Sequence, residues 1–127
     1  MAAAATGDPV HAYHMGLTAC REGACVGMNW SFAPIVDIDL NYHMNNTVYL
    51  DILCHPITNV RTFGSNVENV ISMGKEYIKG AKEAGVATAV KHFPGDGVDE
   101  RDQHLVTSVN SLSAKEWDAT YGRVYKE

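Results

Sequence analysis

The segment from Lys91 to His104 carries the densest set of ionisable side chains in the sequence. Its fourteen residues include one lysine, one arginine, two histidines and four acidic residues. Asp102 and His104 lie two positions apart, and a carboxylate beside an imidazole can fix its tautomer and raise its basicity. The pair therefore suits proton transfer near neutral pH. A solvated polar loop is the alternative, because charged loops are common in proteins.

The same segment also admits a metal site. His92, Asp96 and His104 could supply three ligands, with a water molecule as the fourth. Their spacing matches no compact zinc motif, and the positive charge of Lys91 beside them would oppose a cation. We therefore expect no metal and no cofactor.

Two further groups of polar residues occupy loops. Arg61 stands just before a predicted helix cap, where its planar guanidinium could clamp a hydroxyl or a carboxylate. A surface salt bridge is the alternative role for this arginine. Asp37 and Asp39 follow the first predicted strand and either bind substrate or tie down the loop by accepting backbone N–H groups.

The elements that position these residues alternate between helix and strand. The pattern predicts a helix entered at Asp8 and Pro9 and running to about Gly27, then a buried strand over residues 28–36. No helix is predicted over residues 37–65. A helix follows from Asn66 to about Ala84, opened by a capping box from Ser65 to Glu68, and a strand covers residues 86–92. A second capping box at Ser113 opens a last helix.

Strands that alternate with helices imply βαβ units and a parallel sheet, so the predicted fold class is α/β. Both long polar segments follow the carboxyl ends of strands, which is where active sites lie in α/β barrels. A complete (β/α)₈ barrel needs about 250 residues, and this chain has 127. The chain is therefore half a barrel or a very small open domain.

Composition narrows the classes of partner. The formal charge is −5 and no basic run is present, so we expect no nucleic-acid binding. No window of about 18 apolar residues exists, so we expect no membrane span.

The three cysteines fit a reduced compartment, and the absence of a signal-peptide pattern favours the cytoplasm. Cys20 and Cys25 point in different directions on one predicted helix and are expected to be small buried side chains, not ligands.

The run from Lys91 to Gly97, followed by Asp102-Gln-His104, resembles the signature of family 3 glycoside hydrolases, within them the β-N-acetylhexosaminidase branch. The segments Asn29–Asp37 and Arg61–Gly64 also match this family, in the expected order. So does the Ala-Ala-Thr-Gly-Asp-Pro stretch near the start. The resemblance extends over nearly the whole chain apart from an insert of about a dozen residues near 44–55.

This resemblance implies part of a (β/α)₈ TIM-type barrel, with parallel strands and helices outside, over residues 1–127. It implies removal of terminal β-linked N-acetylglucosamine with retention, from peptidoglycan or chitin-derived saccharides and without a metal. His104 would be the acid/base, oriented by Asp102 on a loop that closes over the sugar. Arg61, Lys91 and His92 correspond to substrate-binding positions.

The chain departs from the family in what surrounds these motifs. The family's early strands and its aspartate nucleophile have no counterpart in the 127 residues. We therefore expect a glycoside hydrolase fragment that lacks appreciable turnover alone, with a saccharide as partner and a second chain as one way to complete the barrel. The alternatives are a non-catalytic saccharide-binding or interaction fragment, a truncated product prone to aggregate, and a metal-dependent small α/β enzyme.

Overall fold

The computed structural model describes residues 2–40, 61–99, 101 and 103–127. In chain order its elements are α1 (Ala2–Ala5), α2 (Val10–Cys25), β1 (Trp30–Ser31), α3 (Val67–Glu83), β2 (Ala87–Thr88), α4 (Ala114–Ala119) and α5 (Tyr121–Lys126). The predicted alternation of helix and strand is confirmed in this part of the chain. The insert predicted near residues 44–55 lies outside the described residues.

The two strands form a parallel pair. Trp30 lies opposite Ala87 and Ser31 opposite Thr88, and an isolated parallel bridge joins Ile35 to Lys91 further along the same two segments. The α/β class and the parallel direction of the strands are thus confirmed. Within the described residues the sheet has two strands and does not close into a barrel.

Helices α2 and α3 pack closely because glycines stand at their crossing. A Cβ atom on Gly16 would lie 2.1 Å from the carbonyl oxygen of Tyr77, and one on Gly80 would lie 2.2 Å from that of Tyr13. Any larger residue at either position would force the two backbones apart. The helix pair therefore forms a fixed layer behind the two strands. Among the helices of the described residues, none is both long and apolar enough to cross a bilayer.

The main core lies between α3, the segment after β1 and the last helix. It is made of buried residues from these elements and from α2, namely Ala12, Val36, Ile38, Phe63, Val70, Met73 and Tyr121. Phe63 and Ile38 come from the two loops that carry Arg61 and Asp37. Packing of this core thus fixes the loops that bear the candidate site.

Three local predictions are wrong. The capping residue of α3 is Asn66, whose side chain accepts the N–H of Asn69 at 3.0 Å; Ser65 and Asn66 can both cap a helix, and the sequence pattern selected the wrong one. The strand predicted over residues 28–36 is only Trp30–Ser31, and its aromatic side chains are not buried: Trp30 is 59% exposed and Phe32 71% exposed, because no described residue covers that face. Cys20 is buried as expected, whereas Cys25 is exposed.

The last helix begins at the predicted capping box, in which Ser113 and Glu116 exchange hydrogen bonds. It differs from the prediction in being broken at Thr120, whose backbone leaves helical geometry at φ −116° and ψ −93°. The break divides the segment into α4 and α5. Tyr121 directly after it is fully buried, so the break positions this tyrosine under the loops described next.

Candidate functional site

Three segments that bear candidate site residues are hydrogen-bonded to one another through their backbones. The N–H of Val36 donates to the carbonyl oxygen of Lys91 at 2.9 Å. The N–H of Asp39 donates to Gly64 at 3.1 Å, and that of Leu40 to Gly97 at 3.3 Å. Residues 36–40, 61–64 and 91–97 therefore meet at the carboxyl ends of the two strands.

Asp37 is the centre of this junction. Its carboxylate is fully buried, and Oδ1 accepts the backbone N–H groups of His92 at 3.0 Å and Asp96 at 2.9 Å. Its Oδ2 lies 2.6 Å from Nδ1 of His92. Of the two roles that the sequence left open for Asp37, the structure supports tying down a loop, since three groups of the 91–97 segment bond to it. The Lys91–His92 and Phe93–Pro94 peptide bonds in this segment are cis.

Tyr121 closes the junction from below. Its hydroxyl lies 2.7 Å from the carbonyl oxygen of Asp96 and 2.9 Å from that of Ile38, to which it can donate. Burial, and then the nearby Asp37 carboxylate, raise the pKa of Tyr121 far above its ordinary value, so the hydroxyl keeps its proton. We call Asp37, His92, Asp96 and Tyr121 the strand-end cluster.

Asp96 is the member of the cluster with an incompletely bonded side chain. It is 6% exposed, and its Oδ1 accepts the N–H of Gly97 at 3.2 Å. Its Oδ2 is buried and has no hydrogen-bond partner among the described residues. Burial, followed by the charge of Asp37, raises the pKa of the Asp96 carboxyl above its ordinary value.

A cleft of about 150 Å³ opens beside the cluster. Polar side chains from the cluster and from the following loop line it: His92, Asp96, Asp99, Gln103, Ser108 and Asn110. Groups that can accept or donate hydrogen bonds to hydroxyls thus surround a space of the size of one sugar ring or a few water molecules.

The far side of the cleft is formed by Asp99, Gln103 and residues 108–110. They belong to the segment 99–110, which we call the acid/base loop after the role expected of His104. Asp99 fastens its two ends, because its carboxylate accepts the backbone and guanidinium N–H groups of Arg101 at 2.5–2.9 Å and the N–H of Val109 at 2.6 Å. The hydrogen bonds from Arg101, followed by the one from Val109, lower the pKa of Asp99 far below its ordinary value.

The predicted site residues differ in how the structure places them. The His92 side chain is 22% exposed and lines the cleft, while Lys91 and Arg61 are half-buried on the segments that meet there. His104 is exposed on a turn of the acid/base loop, next to Gln103 on the cleft wall. Asp102 lies outside the described residues, so its pairing with His104 stays a prediction.

The metal alternative receives no support. In the part of the chain that the structure covers, no group of three His, Cys, Asp or Glu side chains is placed to hold a metal ion. The Asp37 carboxylate beside His92 is instead engaged in hydrogen bonds to the protein.

Two features of the site were not predicted from the sequence. One is the pairing of Asp37 with His92, which lies 55 positions away, and the other is the support that Tyr121 gives to the junction. The signal for Asp37 was its position directly after a strand, where parallel neighbours bring their carboxyl ends together. No local pattern marked Tyr121, which looked like an ordinary apolar-face residue of the last helix.

Comparisons with known proteins identify relatives for the entire chain. The model of the Glycosyl hydrolase family 3 N terminal domain matches residues 1–127. A "Beta-N-acetylglucosaminidase/beta-glucosidase" of Cellulomonas fimi is 48% identical over 126 residues, which are 99% of this chain and 20% of that protein.

Solved structures are similar in both fold and sequence. A "Beta-glucoside phosphorylase BglX" has a TM-score of 0.85 and 52% identity, with 98% of this chain and 20% of that one covered. A glycoside hydrolase family 3 β-N-acetylglucosaminidase from Paenibacillus sp. has a TM-score of 0.85 and 30% identity, with 99% of this chain and 22% of that one covered. The chain thus spans about a fifth of the length of these relatives.

Proposed function

Since the chain belongs to glycosyl hydrolase family 3, we propose that the cleft beside its strand-end cluster, with Arg61 and Lys91 on the adjoining segments, binds the terminal N-acetylglucosamine of a β-linked saccharide as part of a barrel-shaped glycosidase site. The observation that carries this proposal is the junction of residues 36–40, 61–64 and 91–97 beside a polar cleft. These segments hold Arg61, Lys91 and His92, the residues whose types suit hydroxyl recognition.

The proposed roles follow from what each side chain can donate or accept. Lys91 has three donors and no acceptor, and Arg61 offers a planar fork, so both suit the oxygen atoms of a sugar. His104 on the acid/base loop transfers the proton to the leaving oxygen, with Asp102 orienting its ring. Retaining hydrolysis also needs a carboxylate nucleophile on the opposite face of the sugar.

We further propose that the 127-residue chain binds saccharide without appreciable turnover. Three carboxylates next to the cleft are committed elsewhere or poorly placed for attack. Asp37 is buried under His92, Asp99 is bonded to Arg101, and the free oxygen of Asp96 is out of contact with solvent. Loss of one member of a catalytic unit typically lowers the rate by several orders of magnitude.

The test combines a titration with N-acetylglucosamine, followed by NMR, and an assay with an aryl β-N-acetylglucosaminide. We expect saturable binding that weakens by about tenfold or more in Lys91→Ala, because a hydrogen bond from a charged, half-buried donor is lost. Lys115→Ala, an exposed lysine on α4, is the matched control and should bind like the unaltered chain.

Two results would count against the proposal. Absence of saturable binding would exclude the strand-end cluster as a sugar site. Turnover of the aryl glycoside that disappears in His104→Ala would show that the chain is active by itself and that its nucleophile lies within these 127 residues.

Phosphorolysis is a second candidate, because one of the similar structures, 52% identical to this chain, is named a β-glucoside phosphorylase. In that reaction phosphate takes the place of water in releasing the sugar. A histidine acid/base suits it, since an imidazole does not repel an anion as a carboxylate does. Phosphorus NMR of inorganic phosphate with the chain would separate the candidates. Phosphate binding that requires the sugar and is lost in His104→Ala favours phosphorolysis, and its absence favours hydrolysis.

A further inference from the structure

The pairing of Asp37 with His92 determines which ring nitrogen of the histidine carries a proton. The imidazole Nδ1 lies 2.6 Å from a carboxylate oxygen that solvent does not reach. A carboxylate is only an acceptor, so Nδ1 must carry a proton to make this short contact. In the neutral ring the other nitrogen, Nε2, is then left as an acceptor.

The orientation of the ring is fixed as well. The second carboxylate oxygen of Asp37 holds the backbone N–H groups of His92 and Asp96, so the carboxylate cannot rotate without losing these bonds. Nε2 stands at the edge of the ring opposite Nδ1, and His92 lines the cleft with a side chain that is 22% exposed. With Nδ1 engaged by Asp37, Nε2 is the ring nitrogen that remains for a ligand in the cleft.

We propose that Asp37 is a positioning residue that holds His92 in the Nδ1–H tautomer and so makes Nε2 the hydrogen-bond acceptor for a sugar hydroxyl. The neighbouring Lys91 can only donate hydrogen bonds, so the two residues have complementary roles. The lysine donates to a hydroxyl oxygen, and the histidine accepts a hydroxyl proton. This inference deepens the proposed function and rests on it, because the sugar is the ligand proposed above.

The division of roles predicts a preference among ligands. A saccharide that keeps the hydroxyl facing His92 can donate to Nε2. An analogue in which that oxygen is methylated cannot donate, and it leaves Nε2 unpaired in a partly buried position. We therefore expect a difference among N-acetylglucosamine derivatives that each carry one O-methyl group. Methylation of the hydroxyl that faces His92 should lower the affinity much more than methylation at the other positions.

The substitution Asp37→Asn should change the tautomer of His92 while keeping the shape of the side chain at position 37. Asparagine has the same outline and keeps one carbonyl oxygen for the backbone N–H groups of His92 and Asp96. Its amide nitrogen would then face Nδ1 and donate to it, so the ring would have to carry its proton on Nε2. The variant should therefore turn the acceptor presented to the cleft into a donor. Asp118→Asn, at an exposed ion pair with Lys126, is the matched control.

The experiment is nitrogen NMR of the histidine rings, joined to an N-acetylglucosamine titration of the same samples. We expect the Nδ1–H form for His92 in the unaltered chain and in Asp118→Asn, and the Nε2–H form in Asp37→Asn. Affinity should fall about tenfold or more in Asp37→Asn and stay within about twofold in the control. The backbone spectrum reports in the same measurement whether each variant is folded.

The outcomes separate this inference from the proposed function. An Nε2–H ring in the unaltered chain would overturn the inference, even if Asp37→Asn failed to fold. A ring that changes tautomer in Asp37→Asn without any loss of affinity would overturn it too. The expected ring spectra with no saccharide binding by the unaltered chain would refute the proposed function and with it the hydroxyl acceptor, while confirming that Asp37 sets the tautomer.

Discussion

The strand-end cluster and the acid/base loop border the same cleft, but they are held in different ways. Hydrogen bonds in the cluster join residues 55, 59 and 83 positions apart in the chain, as those from Asp37 and Tyr121 do. Among the described residues of the loop, Asp99 accepts hydrogen bonds from residues 2 and 10 positions away, and Asn110 donates to the carbonyl oxygen of Gly95, 15 positions away. The cluster is thus joined by contacts of much longer range in the chain than these hydrogen bonds of the loop.

The strand-end cluster is also more deeply buried than the acid/base loop. Asp37 and Tyr121 are fully buried, whereas Leu105 is 81% exposed and Val106 50% exposed. Segments with few buried contacts and local hydrogen bonds open at the lowest free-energy cost. The comparison indicates that the side of the cleft formed by the strand-end cluster, where we propose that the sugar binds, is preorganised, and that the side bearing His104 can adjust around a ligand.

The largest effect is expected from a methyl group placed beneath the cluster. In Gly95→Ala the new Cβ would lie 2.2 Å from the ring of Tyr121, at a backbone φ of +123° that alanine rarely adopts. Because the buried ring has no space to move into, the free energy of unfolding should fall by about 3 kcal/mol or more.

The matched control is Gly27→Ala, at φ +90° with no atom within 4 Å of the added carbon. This variant introduces the backbone strain without the steric clash, so the free energy of unfolding should fall by about 1 kcal/mol. Thermal unfolding followed by circular dichroism measures both changes. Equal losses in the two variants would show that Gly95 is not packed against Tyr121.

A smaller loss is expected when the tyrosine loses only its hydroxyl. Tyr121→Phe leaves the buried carbonyl oxygens of Ile38 and Asp96 without this donor, which should lower the free energy of unfolding by about 2 kcal/mol. Tyr13→Phe removes an exposed hydroxyl bonded to Glu83 and should change stability much less. Urea unfolding of the two variants checks the difference, and a Tyr121→Phe protein as stable as the control would remove this tyrosine from the junction.

Substitution of Asp96 should raise stability where the preceding variants lower it, because one carboxylate oxygen of Asp96 is buried without a hydrogen-bond partner among the described residues. Because burial raises the pKa of Asp96, the folded protein binds this proton more tightly than the unfolded chain, and stability falls as pH rises through the raised pKa. Asp96→Asn should therefore be nearly neutral at pH below the ordinary aspartate range and stabilising by up to about 1 kcal/mol at pH 7. Asp118→Asn, at an exposed carboxylate, should show no such trend. Melting temperatures across pH test it, and a loss of stability at pH 7 would contradict it.

The smallest effect on stability is expected in the acid/base loop. Asp99→Ala removes the acceptor of Arg101 and Val109, which should speed hydrogen exchange at the Val109 amide by about tenfold while the melting temperature hardly moves. Asp118→Ala serves as the control at an exposed ion pair. If Asp99→Ala also speeds exchange at His92 and Asp96, the loop and the cluster are not independent.

Sequence patterns predicted what depends on local or periodic features. The capping box at Ser113, the order of helices and strands and the parallel sheet are of this kind, since each follows from neighbouring residue types. The ordered motifs also identified the family. The exposure of Trp30 and Phe32 was not predictable in this way, because residue type favours burial but only the neighbouring chain decides it.

The sequence offered candidate site residues but not the hydrogen bonds that connect them. Lys91 and His92 were selected because the family resemblance gives them as substrate-binding positions, and His92 does line the cleft. The partner of His92 could not be read from spacing, since Asp37 reaches it only after two parallel strands bring distant loops together. The same holds for Tyr121, whose contacts with Ile38 and Asp96 exist only in the folded chain.

The most direct test of the account is amide hydrogen exchange of the chain with and without N-acetylglucosamine. We predict strong protection at His92 and Asp96 before any sugar is added, rapid exchange over residues 103–108, and slower exchange in this loop once the sugar is bound. Rapid exchange at His92 and Asp96 in the free chain, or a loop that the sugar leaves unchanged, would contradict a preorganised cluster with an adjustable loop above it.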